Sequence, residues 1–179
     1  DGSSKVVQSL SPELVVTTET GRYEIDGESV VCLSTQVGCS MACSFCRSSG
    51  PFLFPGESIP KRLLRNLSAS EIIVQAIWAF DKVPPPQDSK GKVLSFMGMG
   101  EPFANLESVK LAIQSLGKIY PDSRATVSTV GFDLSGVKQL ADEIAAGGYP
   151  IQVKLHISLH GSTDLQRHEI VPSAKSLQE

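Results

Sequence analysis

All four cysteines of this 179-residue chain, Cys32, Cys39, Cys43 and Cys46, fall in one short segment. Disulfides that staple a domain usually join distant parts of the chain, because closing a longer loop restricts the unfolded state more. Thiols crowded into one segment point instead to a metal site in a reducing compartment. The last three have the spacing C-x3-C-x2-C. Iron–sulfur cubanes usually take four thiolates. Three from a single loop leave one iron without a protein ligand, and an open metal position is where a small molecule binds. Gly38 lets the backbone approach such a cluster closely, and Phe45 would cover it from solvent. A structural zinc site competes with this reading. Zinc wants four ligands, usually as two C-x2-C pairs, and here one such pair stands with Cys39 and the upstream Cys32.

Around that loop the chain is organised as strands and helices. Residues 5–37 read as β-rich. Leu14-Val15-Val16-Thr17-Thr18 is a β-branched run, and Asp26-Gly27 supplies a turn before Val30-Val31. We expect 1–29 to lead into a core over 30–179, with a strand at 30–36 delivering the chain to the cysteines. Residues 47–67 read as loop, broken by Gly50-Pro51, Pro55-Gly56 and Pro60. Ser70 is a good N-cap for a helix over 71–82, and Ile72, Ile73, Ala76, Ile77 and Phe80 have helical spacing. Pro84-Pro85-Pro86 ends that helix. Then come a strand at 93–97, a helix at 106–119, a strand at 125–129, a helix at 134–146 stopped by Gly147-Gly148, a strand at 153–158, and a helix starting near Thr163. Strands alternating with helices imply βαβ units and a parallel sheet. About four such units are too few for a closed eight-unit barrel, so the fold class expected is α/β, a partial (βα) barrel with a β-rich N-terminal segment.

Composition narrows the function classes. The 41% hydrophobic content suits a globular core, and no apolar run is long enough to span a membrane. The formal net charge is −3, whereas a protein living by phosphate contacts usually carries a basic surplus. The opening residues are polar, without a secretory signal or an initiator Met. The chain is therefore expected to be a piece of a longer protein.

Residues at the strand ends are the candidate ligand contacts, because ligands of parallel sheets bind there. Gly98, Gly100 and Glu101 follow the strand at 93–97, and the glycines would let backbone amides face a ligand. The competing reading is a turn with a solvated Glu, since short glycine motifs are weak signals. Ser128 ends the next strand, and Ser158, Leu159 and His160 follow the last. His156 points to the same strand face as Ser158 and is read as an interior residue. Lys61, Arg62 and Arg65 form a small basic cluster, a solvated face or an RNA-phosphate contact.

C-x3-C-x2-C with an aromatic before the last cysteine resembles the signature of the radical S-adenosylmethionine (SAM) superfamily. Ser34-Thr35-Gln36-Val37-Gly38-Cys39-Ser40-Met41 resembles, within it, the dual-specificity ribosomal and transfer RNA adenine methyltransferases and their antibiotic-resistance relatives. Further blocks resemble the same family in order. They are Arg65-Asn66-Leu67, Ser70-Glu71-Ile72-Ile73, 96–102, 127–131, 157–160 and Arg167-His168-Glu169-Ile170-Val171-Pro172.

The resemblance implies a [4Fe–4S] cluster on Cys39, Cys43 and Cys46. It implies SAM contacts at Gly100, Glu101, Ser128, Ser158, Leu159 and His160, with Glu101 taking the SAM amino group. The implied chemistry is one-electron cleavage of SAM to a 5′-deoxyadenosyl radical, followed by methylation of an adenine ring carbon in RNA. The implied partners are rRNA or tRNA and an electron donor such as flavodoxin or ferredoxin. A monomer without membrane attachment is expected, in the cytoplasm or an organelle with a reducing interior. Rival readings are a radical SAM enzyme with another substrate, and a non-catalytic iron–sulfur or zinc protein that binds RNA or a ribosome.

Departures from the family pattern bear on catalysis. No cysteine follows Cys46, so the cysteine that carries the methyl group in the family has no counterpart here. Gln8, Val6 or Val7 stands where the family has a basic glutamate, with Glu13 and Glu19 as alternatives in another register. Gln cannot act as a base. The catalytic residues are thus unknown, with Cys32 and Glu19 as candidates. Arg47-Ser48-Ser49, a long loop over 50–64, and Ala174 in place of the usual Asn also depart from the pattern.

Overall fold

The computed structural model describes residues 4–11, 14–21, 27–46, 63–82 and 84–177. Among them are eight strands and four α-helices. β1 (Ser4–Ser11) and β2 (Leu14–Gly21) form a hairpin, and β2 pairs antiparallel with β3 (Ser29–Cys32). β6 (Lys92–Phe96), β7 (Ser123–Thr129) and β8 (Gln152–Ile157) then join β3 in parallel. The six-stranded sheet has the order β1-β2-β3-β6-β7-β8. Each parallel step is bridged by a helix: α1 (Ala69–Lys82), α2 (Leu106–Ile119) and α3 (Leu134–Ala145). This is the expected α/β architecture, with four parallel strands as its repeating part.

Apolar periodicity explains the layering. Ile72, Ala76, Ala79 and Phe80 recur along one face of α1 and are buried. Val109, Ala112, Ile113 and Leu116 do the same on α2. They share one core with Val31, Leu94, Ala125, Val127 and Val153 of the strands. Four of the five residues of β6 are buried, the near-continuous run expected of a central parallel strand. β8 is an edge strand, and most of its residues are exposed.

Local chemistry sets the boundaries. Asp133 caps α3 by accepting a hydrogen bond from the Gly136 amide. α4 (Asp164–Ile170) is capped by Thr163, which accepts from the Gln166 amide. Gly147, at φ +72°, follows α3 as the sequence predicts.

Three expectations are corrected. The strand expected over 30–36 is split, into β3 and β4 (Gln36–Gly38). The Leu33 amide still donates to Ser95 O at 2.7 Å, but the backbone of Ser34 is then taken by the Gln75 side chain and the Thr35 amide by Met99 O. The chain thereby leaves the main sheet, and β4 pairs with β5 (Leu63–Asn66), a strand inside the expected loop. The remainder of that loop, 47–62, with its Gly-Pro and Pro-Gly breakers, lies outside the described residues. The cap of α1 is Ser68, not Ser70. The Ser68 amide donates to Glu71 Oε2 at 2.8 Å and the Glu71 amide to Ser68 Oγ at 3.3 Å, a capping box.

Glu71 also accepts two hydrogen bonds from Arg65, at 2.6 and 2.8 Å. These bonds hold its carboxyl down from the ordinary 4.5 to about 2, against an opposing effect of burial. A depressed carboxylate stabilises the fold fully above its unfolded pKa, and the contribution is lost as pH falls through the folded one. Glu71→Ala should therefore cost about 1 kcal/mol at neutral pH, mostly through the cap, with a modest share from the partly exposed ion pair. Thermal melts across pH check this: the gap to the parent chain narrows as pH drops from 4.5 toward 2.

Candidate functional site

The residues after β3 and those after β6 are joined by a lattice of hydrogen bonds that aims the cysteine loop. Met99 O accepts from the amides of Thr35 (2.8 Å) and Gln36 (3.2 Å), and the Met99 amide donates to Ser34 Oγ at 3.0 Å. Gln36 Oε1 accepts from the Glu101 amide at 2.9 Å, while its Nε2 donates to Asn66 Oδ1 at 2.7 Å. Asn105 donates to Thr35 O and Leu67 O at 2.8 and 2.7 Å. Gly38, the residue before Cys39, donates its amide to Met99 Sδ at 3.1 Å. Gln36, Gln75 and Asn105 are all buried, and their desolvation is offset by bonds to main chain and, for Gln36, also to the Asn66 side chain.

The glycines of this region serve the lattice. A Cβ on Gly98 would come within 2.7 Å of the Leu33 and Ser34 backbone, and one on Gly100 within 2.7 Å of Thr35 Oγ1. The sequence reading gave these glycines to a ligand. In the structure they let the two loops touch, and both also line the cavity beside them.

That cavity gathers most of the predicted site residues. Cys39, Cys43 and Cys46 line one wall with Met41 and Phe45. Residues 96–102 line another, including Gly100 and Glu101. Ser128, Thr129 and Val130 come from the end of β7, and Ser158 and His160 from beyond β8. Leu159 does not line it; its side chain is 57% exposed. The rings of Phe45 and His160 lie 4.5 Å apart at the rim, so Phe45 stacks on the last strand end and is itself half exposed. His156, expected inside, is exposed on β8, the last strand of the sheet among the described residues.

The thiols fit a metal cluster in kind. None of the four cysteines is in a disulfide. Burial, reinforced by the neighbouring Cys39 and Cys46, pushes the Cys43 thiol up to about 11. Three thiolates so close repel one another unless a cation sits among them, and a bound metal inverts that penalty. Among the described residues, no group of three or more His, Cys, Asp or Glu side chains is arranged to hold a metal ion. A cubane asks less convergence, since each thiolate meets a different iron. The loop is braced from behind: Cys39, Met41 and Cys43 pack with Val171 and Ala174, and the Ser44 amide donates to Ile170 O at 2.8 Å. Ala174 thus sits directly against the cysteine loop, where a larger polar side chain would have to displace it.

Glu101 is 3% exposed, and burial raises its pKa. Its carboxylate accepts from the Phe103 amide at 3.1 Å, the Val130 amide at 3.2 Å and the Thr129 hydroxyl. It caps the short 3-10 turn Pro102–Asn105 and ties the end of β7. A carboxylate offers roughly four lone-pair sites, so one more donor can be received from the cavity.

Among the described candidates, Cys32 and Arg65 do not line this cavity. Cys32 lies on β3, in register with Glu19 of β2. Arg65 is occupied by Glu71, and Lys61, Arg62 and Glu13 fall outside the described residues. Sequence reasoning did not single out Gln36, Asn105 or Arg167. Arg167 is 3% exposed and binds four main-chain carbonyls. Polar residues buried by tertiary contacts carry no periodic signal.

No family model matches the chain. A probable dual-specificity RNA methyltransferase RlmN of Chloroflexus aurantiacus is 40% identical over 152 residues, 80% of this chain and 36% of that protein. The dual-specificity RNA methyltransferase RlmN of Phenylobacterium zucineum is 34% identical over 184 residues, covering 96% of this chain and 42% of its own. The crystal structure of a radical SAM methyltransferase from Sphaerobacter thermophilus superposes with a TM-score of 0.74 at 31% identity, covering 96% of this chain and 46% of that one. The chain spans less than half the length of these relatives. Over nearly all of its own length the chain is similar to dual-specificity RNA methyltransferases and to a radical SAM methyltransferase.

The lattice makes a prediction independent of any ligand. Gly98→Ala drives a Cβ into the Leu33–Ser34 backbone and should cost about 1–3 kcal/mol. Gly91→Ala, whose Cβ meets only Asp122 O at an ordinary 3.6 Å, should stay within about 1 kcal/mol. Urea unfolding of both variants checks the difference.

Proposed function

We propose that this chain holds a [4Fe–4S] cluster on Cys39, Cys43 and Cys46 and binds SAM beside it. In the full-length protein we assign it to methylation of an adenine ring carbon in rRNA or tRNA. The observation that carries the reading is that three thiols and the ends of three successive parallel strands line one cavity. The names of the relatives support the substrate class.

Each residue's part follows from its chemistry. The three cysteine sulfurs would hold the cluster. Glu101, with one acceptor site left, takes the ammonium of SAM and keeps it charged. Ser128 and Ser158 offer hydroxyls at neighbouring strand ends, placed for a carboxylate or a ribose. Phe45 and His160, stacked at the rim, shield the interior from water. Met41, Met97 and Met99 line the cavity with thioethers, which keep it apolar and polarizable. When bound and reduced, the cluster supplies the electron that cleaves SAM at its sulfonium. The protein's share is binding, orientation and the exclusion of water.

The implied partners are an RNA whose target base is exposed from its stack and a small electron donor such as a flavodoxin or ferredoxin. A reducing interior, cytoplasmic or organellar, suits four cysteines without a disulfide, and we assign a monomer. Among the described residues no helix is long and apolar enough to cross a membrane.

The test is anaerobic reconstitution with iron and sulfide, reduction in the presence of SAM, and chromatography for 5′-deoxyadenosine. The parent chain should gain the visible absorbance of a cubane and release 5′-deoxyadenosine. Cys39→Ala, Cys43→Ala and Cys46→Ala should each lose the cluster and fall to background. Retention of iron and SAM cleavage in all three variants, or binding of zinc in place of a cluster, would overturn the assignment.

A further inference from the structure

Arg167 is a buried cation that nothing in the proposed chemistry uses. It stands on α4, and among the described ion pairs none neutralises it. Its guanidinium is instead saturated by main-chain carbonyls from three separate segments. Nη2 donates to Val130 O at 2.5 Å, just after β7. Nη1 donates to Ser158 O at 3.4 Å and to Leu159 O, just after β8. Nε donates to Lys175 O at 2.8 Å, beyond α4. The backbone has been shaped around it. A Cβ on Gly131 (φ +75°) would come within 2.8 Å of Nη2, and one on Gly161 (φ +107°) within 2.9 Å of the Arg167 amide. Both positions need glycine for their backbone conformation as well.

These carbonyls belong to the loops that carry cavity residues. Val130 accepts from Arg167 through its carbonyl and donates its amide to Glu101 Oε2. Ser158 accepts from Arg167 and donates its amide to Thr129 O at 2.8 Å. Lys175 accepts from Arg167 and donates to Gly131 O at 3.1 Å. One side chain therefore fastens the ends of β7 and β8 to each other and, through Val130, to Glu101.

We propose that Arg167 is a positioning residue for the SAM cavity, which sets SAM affinity by fixing the backbone after β7 and β8 while the cluster ligands stand on a different loop. The inference rests on the functional reading above. Only a five-donor planar fork can serve four carbonyls at once. Lysine, with three donors from one point, keeps the charge but must abandon at least one of them.

Arg167→Lys is the informative variant, measured beside the parent chain. Hydrogen exchange of the cluster-free protein reads the backbone. Amides of Val130, Ser158 and Lys175 should exchange about tenfold faster in the variant, with α2 unchanged. After reconstitution, iron per chain should stay at the parent level while equilibrium dialysis shows SAM bound about tenfold more weakly. Gly131→Ala, which crowds the guanidinium without removing it, should give the same pattern and stands in if Arg167→Lys does not fold. Protection lost evenly over sheet and helices would make Arg167 a residue of the fold alone and overturn the proposal. Local loosening with SAM affinity kept within about twofold would overturn it too. A parent chain that loads iron but takes up no SAM overturns the functional reading itself, and this inference falls with it.

Discussion

The fold of the site depends on the contact between two main-chain segments, the one that leaves β3 and the one that leaves β6. Met99 O takes two amides from the first segment, and Ser34, Gln36 and Gln75 side chains complete the exchange. Leu33 is the last residue of the first segment to follow the ladder of the main sheet. From there side chains replace strand partners, and the chain turns away to form β4 and then the cysteine loop. Two glycines make the approach possible, because any side chain at 98 or 100 would overlap atoms at 2.7 Å. With the packing of the loop on Val171 and Ala174, this contact fixes the three thiols relative to the strand ends.

The cavity that results is built on contrast. Its wall of thiols is electrostatically frustrated, with Cys43 held protonated by burial and by its neighbours. Its opposite side carries Glu101, buried and yet satisfied by two amides and a hydroxyl. A cationic cluster would relieve the first wall, and a ligand ammonium suits the second. All three methionines of the chain line the space between, an apolar and polarizable filling that strengthens whatever electrostatic contacts are made there.

Much of the architecture was legible in the sequence. α2 spans the residues its apolar spacing predicted, 106–119, because α2 is amphipathic and free of glycine at its start and proline throughout. α3 and α4 begin at Asp133 and Thr163, whose side chains cap locally and so announce themselves in the sequence. The failures have a common cause. The split of 30–36, the strand at Leu63–Asn66, and the exposed His156 all turn on which segment lies alongside. β4 and β5 exist because they pair with each other, and His156 stands on the last strand of the sheet among the described residues. The cap on Ser68 rather than Ser70 is a local error, since the Ser68-x-x-Glu71 box was readable.

By itself the sequence determined the alternation of strands and helices, the parallel sheet that follows from it, and the cluster of thiols on one loop. Those are set by periodicity, caps and covalent spacing, which act over a few residues. Only the tertiary structure decided that Gly98 and Gly100 sit against Leu33–Gln36, that Glu101 ties the end of β7, and that Arg167 binds the strand ends together. Each of these is a contact between residues far apart in the chain. Such contacts are chosen by the burial of polar groups that must find partners once water is gone, and no local pattern records which partner that will be.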